Sequence, residues 1–243
     1  MKILGIITAR GGSKGIPRKN IKELKGQPLI AYTIKAAQES GVFDRIILST
    51  DDAEIADVAG RYGVEIPFMR PAELAQDGTA HLPVLKQAVE WLRDNQNYLP
   101  EAVMLLQPTA PLRQTWHIKQ ALELLISSGA DSVVSISEIP GHFSPYWAVV
   151  EGQDKWAKLL VSSEPLHQRI PRRQSFPQKT YYHNGAMYLF KTGLLFDQNT
   201  PNFYGQNVIV YPMADKYSVN IDNPEDWLLA EIALSKIEPG ISL

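Results

Sequence analysis

The residues best able to do chemistry lie close together near the start of the chain. The stretch Ala9-Arg10-Gly11-Gly12-Ser13-Lys14-Gly15-Ile16-Pro17-Arg18-Lys19-Asn20 mixes glycines with cations. Glycines let backbone N–H groups come close to an anion. Arg10, Lys14, Arg18 and Lys19 add positive charge. The combination suits a polyphosphate. The order R-G-G-S-K-G is neither the dinucleotide fingerprint G-x-G-x-x-G nor the P-loop G-x-x-x-x-G-K-[ST]. The competing structural role is a charged surface loop whose glycines only make turns.

Stepping outward, the loop follows the apolar run Ile3-Leu4-Gly5-Ile6-Ile7-Thr8, which reads as a buried strand. Strands are expected at 3–8, 45–50, 64–68, 101–107 and 131–137, and helices at 28–40, 52–62, 80–96 and 114–128. The strand cores are short and nearly continuous in apolar residues, as in a parallel sheet covered on both faces. Asp51-Asp52 offers cap chemistry to the helix that follows. Alternation of this kind predicts a doubly wound α/β fold with a mostly parallel sheet. Ligands in such sheets sit beyond the carboxyl ends of the strands, where the Gly-rich loop lies.

The alternation stops near Pro140. Residues 139–182 carry five prolines, the aromatics Phe143, Tyr146, Trp147 and Trp156, and a basic run from Arg169 to Arg173. That is too aromatic for a solvated tether and reads as an insertion. The α/β pattern resumes with strands at 186–190 and 208–211 and a closing helix at 224–236, with Pro224 in its first turn. The expected organisation is an α/β domain built from 1–138 and 183–243, interrupted by a subdomain at 139–182.

Composition narrows the function classes. The formal charge of −2 gives no global field to favour nucleic acid or an anionic membrane. With no cysteine, disulfide and thiolate chemistry are excluded. His81, His117, His142, His167 and His183 are scattered without metal-site spacing. The start shows no signal-peptide pattern and no apolar run reaches membrane-spanning length, so a cytoplasmic protein is expected.

Five segments, in order, resemble the acylneuraminate cytidylyltransferase (CMP-sialic acid synthetase) family. They are the loop at 9–20, Arg70-Pro71-Ala72-Glu73-Leu74-Ala75-Gln76-Asp77, Leu106-Gln107-Pro108-Thr109-Ala110-Pro111-Leu112-Arg113, Asn184-Gly185-Ala186-Met187-Tyr188, and Asn220-Ile221-Asp222-Asn223-Pro224-Glu225-Asp226-Trp227. Together they span nearly the whole chain. The loop favours this family over the Kdo cytidylyltransferases, whose loop resembles A-R-x-x-S-x-R-x-P-G-K-P. Asn184-Gly185-Ala186 looks more like the sialic and legionaminic branch than the pseudaminic one.

The resemblance implies a Rossmann-like nucleotidyltransferase that joins CTP to a nonulosonic sugar acid, releasing pyrophosphate. It implies that Arg10, Lys14 and Asp222 are catalytic. Ala9, Arg10, Gly11, Lys14, Lys19, Asn20, Arg70, Thr79 and Ala80 would bind the nucleotide. Gln107, Arg173, Tyr188 and Phe203 would bind the sugar acid, with the planar Arg173 guanidinium suited to its carboxylate. Where the family commonly shows Asp-x-Asp for Mg²⁺, this chain has Asn220-Ile221-Asp222, so Asp222 and Asn220 are the metal candidates. On a strand the two would share a face. The resemblance further implies a homodimer with shared active sites, residues 139–182 being the dimerisation subdomain, and neither a nucleic-acid nor a membrane partner. Competing structural roles are a helix-entry residue for Arg70, backbone satisfaction for Gln107, core packing for Tyr188 and Phe203, a solvated surface for Arg173, and a helix N-cap for Asp222.

Overall fold

The computed structural model describes residues 1–153 and 155–237. In chain order its strands and α-helices are β1 (Ile3–Thr8), a small hairpin of β2 (Glu23–Leu24) and β3 (Gln27–Pro28), α1 (Leu29–Ser40), β4 (Arg45–Ser49), α2 (Ala53–Gly60), α3 (His81–Gln96) and β5 (Ala102–Leu106). Then come α4 (Thr115–Ser128), β6 (Ser132–Glu138), the pair β7 (Val149–Glu151) and β8 (Ala157–Leu159), β9 (Tyr181–Lys191), β10 (Val208–Pro212) and α5 (Pro224–Lys236).

Six strands form one sheet in the order β10-β6-β9-β5-β1-β4. β1 is parallel to β4 and β5, and β10 to β6, whereas β9 runs antiparallel to both its neighbours. The inner strands are buried on both faces, which explains their near-continuous apolar sequence. Ile7 and Leu48 pack with α1, α2 and α4 on one face. Leu4, Ile6 and Val103 pack with Leu85, Val89 and Leu92 of α3 on the other. After β1 the chain places β4 on one side and β5 on the other. The crevice beyond the ends of β1 and β5 is therefore a topological switch point, where this architecture binds ligands. Ile7 lies level with Leu48 and Leu106, so Arg10, Asp51 and Gln107 all emerge at that edge.

The expected strand at 64–68 is absent. Only Glu65 bridges to Ile47 there, so the apolar residues Val64 and Ile66 pack beside the sheet without extending it. The helix expected at 52–62 begins at Ala53 because Asp52 is its cap, its carboxylate accepting from the Ile55 N–H at 3.0 Å. The strand expected at 186–190 is longer, running from 181 to 191. Its register shifts where β6 passes from Val134 to Ile136, and Gly185 sits there with φ +72°.

Glu138 at the end of β6 faces Tyr181 at the start of β9, so residues 139–180 leave the sheet and return at neighbouring positions. Within that excursion β7 and β8 pair antiparallel. Phe176 packs on Tyr146 and Trp147, and the Trp147 indole N–H donates to the Ile170 carbonyl at 2.7 Å. No described helix is long and apolar enough to cross a membrane.

Candidate active site

Three loops meet at the switch point. The Gly-rich loop is anchored by Ile16, which is buried with Leu24, Ile221, Trp227 and Ala230 in a small core of its own. The loop after β5 contributes the Thr109 carbonyl, which accepts the Ile221 N–H at 2.8 Å. Lys19 crosses from the first loop to donate from Nζ to the Ile221 carbonyl at 2.6 Å. Gly15 lies so close to this segment that a Cβ there would overlap the Asp222 carbonyl oxygen. Asn20, itself buried, donates from Nδ2 to the Arg10 carbonyl at 3.1 Å and so holds the loop's entry.

These loops enclose a cavity of about 360 Å³ lined by Arg10, Lys14, Lys19, Asn20, Arg70, Thr79, Gln107 and Asp222. Four cations and two carboxylates face it. Asp77 bridges Arg10 at 2.7 Å and Lys14 at 2.5 Å. The hydrogen bond from Lys14, then that from Arg10, holds the Asp77 carboxyl below the usual carboxylate range. Asp222 lies 3.3 Å from Lys19 Nζ. A triphosphate entering here would exchange places with Asp77 on two of the cations.

Arg18, counted with the loop's cations in the sequence, points elsewhere. It pairs with Asp52 at 2.5 Å and with Glu54, so its charge is spent at the start of α2. The Gly11 N–H is also occupied, donating to Asp51 Oδ1 at 3.1 Å. At Gly11 a Cβ would strike Asp52, so this glycine serves close packing on the β4–α2 turn.

Arg70 is 7% exposed, which rules out a solvated helix-entry role. Its guanidinium donates to the Ser49 hydroxyl at 3.0 Å and the Ser49 carbonyl at 2.5 Å. Burial lowers its pKa to about 10, so it stays charged at neutral pH. His81, the first residue of α3, lies 3.1 Å from the Gln107 amide nitrogen. Burial, then the charge of Arg70, holds the His81 pKa below its ordinary value.

The fifth segment differs from expectation in two ways. Residues 218–223 form a loop, so strand periodicity does not set the facing of residues 220 and 222. The two side chains meet all the same, Asn220 Nδ2 donating to Asp222 Oδ2 at 2.8 Å. Asp222 is also not the helix cap. That role falls to Asn223, whose side chain accepts the Asp226 N–H at 2.9 Å while Asp226 accepts the Asn223 N–H in return. The Asp222 carboxylate is thereby left to the cavity.

The remaining sequence-derived candidates lie outside this cavity's lining. Ala9 is buried in the core beneath the loop, and Ala80 caps α3 from an exposed position. Tyr188 and Phe203 pack edge to face at 5.7 Å on the core of the α3 side. Arg173 is exposed on the 139–180 excursion, beside Gly141, Glu138 and Lys179. Sequence reasoning gave no role to Arg113 or Asn184. The Arg113 guanidinium is fully buried and donates to the Ala186 carbonyl, to Thr33 Oγ1 at 2.7 Å and to the Gln107 carbonyl at 3.4 Å. Burial lowers its pKa to about 9. Asn184 bonds Ser135, Ser137 and Ser218, tying β6 and β9 to the loop that carries Asp222. Both residues lie in segments the sequence had singled out, but nothing in the sequence reported their burial.

The family described as Cytidylyltransferase matches residues 4–226. An N-acylneuraminate cytidylyltransferase of Streptococcus agalactiae is 35% identical over 230 residues, 94% of this chain and 52% of that protein. This chain thus spans about half the length of that relative. A CMP-N,N'-diacetyllegionaminic acid synthase of Campylobacter jejuni is 37% identical over 96% of this chain and 95% of its own. A solved structure of CMP:2-keto-3-deoxy-manno-octonic acid synthetase complexed with CTP superposes with a TM-score of 0.70 at 17% identity, covering 97% of this chain and 99% of that one. At that identity the likeness is one of fold.

Proposed function

The chain belongs to the cytidylyltransferase family, and from that premise we propose that it activates a nonulosonic sugar acid, converting CTP and the acid into the CMP-sugar acid and pyrophosphate. The observation that carries this reading is Asp222, freed from helix capping and facing a cavity with Arg10, Lys14 and Lys19 at the switch point. In the reaction the anomeric hydroxyl oxygen of the acid bonds to the α-phosphorus. The bond to the β-phosphate bridging oxygen breaks in line, pyrophosphate leaves with that electron pair, and the hydroxyl proton passes to water. Arg10, Lys14 and Lys19 stabilise the charge that develops on the leaving group. Holding both reactants at one edge of a rigid sheet supplies the rest.

The donor set fits Mg²⁺ in a reduced form. Among the described residues no group of three or more acidic or histidine side chains gathers. Asn220 turns its amide nitrogen toward Asp222, and its Oδ1 is buried and unbonded. Asp222 would therefore hold the ion as the single carboxylate, with phosphate oxygens and water completing the shell. When bound, Mg²⁺ neutralises phosphate charge and lowers the pKa of an attacking hydroxyl. Asn220 orients Asp222 for that role. A nucleoside triphosphate substrate also argues for a cytoplasmic setting.

The reading predicts selectivity for CTP. Arg70 and Thr79 line the cavity and are proposed as the base slot. UTP reverses the hydrogen-bond sense at the exocyclic position, and a site built for one pattern leaves buried groups unpaired with the other. A pyrophosphate-release screen crossing four nucleoside triphosphates with a panel of nonulosonic acids is expected to give turnover with CTP at least about 10²-fold above UTP. Equal turnover with both would refute the assignment of the base slot.

Residues 139–182 are proposed as a dimerisation subdomain that completes the partner's site. Phe143 and Trp156 are 70% and 75% exposed, and Val149, Val150, Leu160 and Val161 of the same excursion are exposed as well. Tyr146 and Trp147 are half-buried, packed on Phe176. Arg173 stands clear of its own chain's cavity, as a residue serving the neighbouring subunit would, while Tyr188 and Phe203 are proposed as an apolar wall for acyl groups. Mixing inactive Arg10→Ala and Arg173→Ala proteins under subunit exchange should restore activity, at most about half per heterodimer, since one of two sites then carries neither lesion. A monomer by light scattering, or no recovery from demonstrated heterodimers, counts against the shared site.

A further inference from the structure

Building on the reading of Gln107 as a contact for the sugar acid, we propose that His81 is a positioning residue that decides which way the Gln107 amide faces. The two side chains reach the cavity from different elements, His81 from the first turn of α3 and Gln107 from just after β5. Their nitrogens are 3.1 Å apart. An amide nitrogen can only donate. His81 Nε2 must therefore accept, with the ring neutral and its proton on Nδ1. On its other side the Gln107 oxygen accepts from Thr109 Oγ1 at 3.5 Å, a longer and weaker bond. Gly185 leaves room for that oxygen, since a Cβ there would come within 3.4 Å of it. The amide is thus held at both ends, more firmly at the histidine.

The groups facing His81 favour the neutral ring. Arg70 stands beside it from the segment between α2 and α3 and is itself buried. Arg10, Lys14 and Lys19 share the cavity, and the carboxylates Asp77 and Asp222 are each engaged by those cations. A protonated His81 would present a donor to a donor. The amide would then have to turn over, giving its oxygen to the ring and its nitrogen to Thr109. The acid would meet the opposite hydrogen-bond pattern.

The test compares His81→Ala, His81→Gln, Gln107→Ala and the His81→Ala/Gln107→Ala pair at saturating CTP, with folding checked by circular dichroism. His81→Ala should raise the KM for the sugar acid about tenfold, the scale of one lost buried hydrogen bond, and move the KM for CTP less than about twofold. His81→Gln, which keeps an acceptor at the end of its side chain, should recover most of the loss. In the Gln107→Ala background, removing His81 should add nothing. For the unaltered protein the acid KM should rise only as pH falls below the ordinary histidine range, because burial and the charge of Arg70 hold the His81 pKa below its usual value. His81→Gln should lack that rise. The inference is overturned if His81→Ala raises the KM for CTP as much as that for the acid, or if the two substitutions multiply. A normal acid KM in Gln107→Ala would overturn the reading of Gln107, and this inference with it. Should His81→Ala not fold, the pH profiles of the unaltered protein and His81→Gln decide alone, a shared acid limb being the negative result.

Discussion

Asp222→Asn is expected to lower kcat/KM by about 10²-fold or more while leaving the melting temperature within about 2 °C. The two readouts separate the site from the scaffold. Helix α5 is capped by Asn223 and Asp226, so its stability does not draw on the Asp222 carboxylate. The cavity does draw on it, because Asp222 carries the negative charge nearest Lys19. Removing it also leaves Asn220 Nδ2 facing another amide. Asn220→Asp should behave differently. It places a second carboxylate against the first, a pair that repels when empty and holds a cation well. Activity at millimolar Mg²⁺ should stay within about threefold of the starting protein, with half-maximal rate at lower Mg²⁺. Near-normal turnover by Asp222→Asn at moderate Mg²⁺ would leave the carboxylate with no catalytic role.

Gly15→Ala is expected to cost about 10²-fold in kcat/KM through geometry alone. Gly15 is not among the glycines with positive φ, so alanine fits its backbone. The added methyl instead overlaps the carbonyl oxygen of Asp222. Neither partner can yield cheaply. The loop is anchored by Ile16, and the Asp222 segment by Ile221, which is buried in the same small core and bonded to Thr109. The clash is relieved by separating the loop cations from Asp222, and misplacement of that order is costly to a reaction that depends on position. Gly12→Ala supplies the comparison. A Cβ at residue 12 meets nothing within 4 Å, so its loss should be at least tenfold smaller. Equal losses from the two would mean that the glycines matter for loop freedom and not for this contact.

Much of the frame was legible because it rests on local pattern. Strand β1 and helix α5 lie where periodicity and Pro224 placed them, and the strand before the Gly-rich loop set that loop at a carboxyl edge. The strand expected at 64–68 failed because Val64 and Ile66 alternate like a strand yet pack beside one, and alternation does not report hydrogen bonding to a neighbour. The antiparallel course of β9 was likewise not in its own residues. It follows from the excursion that carries the chain out from Glu138 and back to Tyr181.

By itself the sequence determined the chemistry available to this protein. It showed a glycine-rich cationic loop after a buried strand, no thiols, no clustered metal ligands, and Asn220 two residues before Asp222, where the family resemblance implies a second carboxylate. Residue types and short spacings carry that information because they act within a few residues of chain. The tertiary structure decided which of those groups are free to act. Arg18 is neutralised across the sheet edge by Asp52 and Glu54, and Asp77 covers Arg10 and Lys14. Asn223 takes the cap and releases Asp222, and His81 turns from a stray histidine into the partner of Gln107. Each of these outcomes is a competition between partners, most of them far apart in sequence. Such a competition is settled by distance and burial, and those exist only once the strands have brought their ends to one edge.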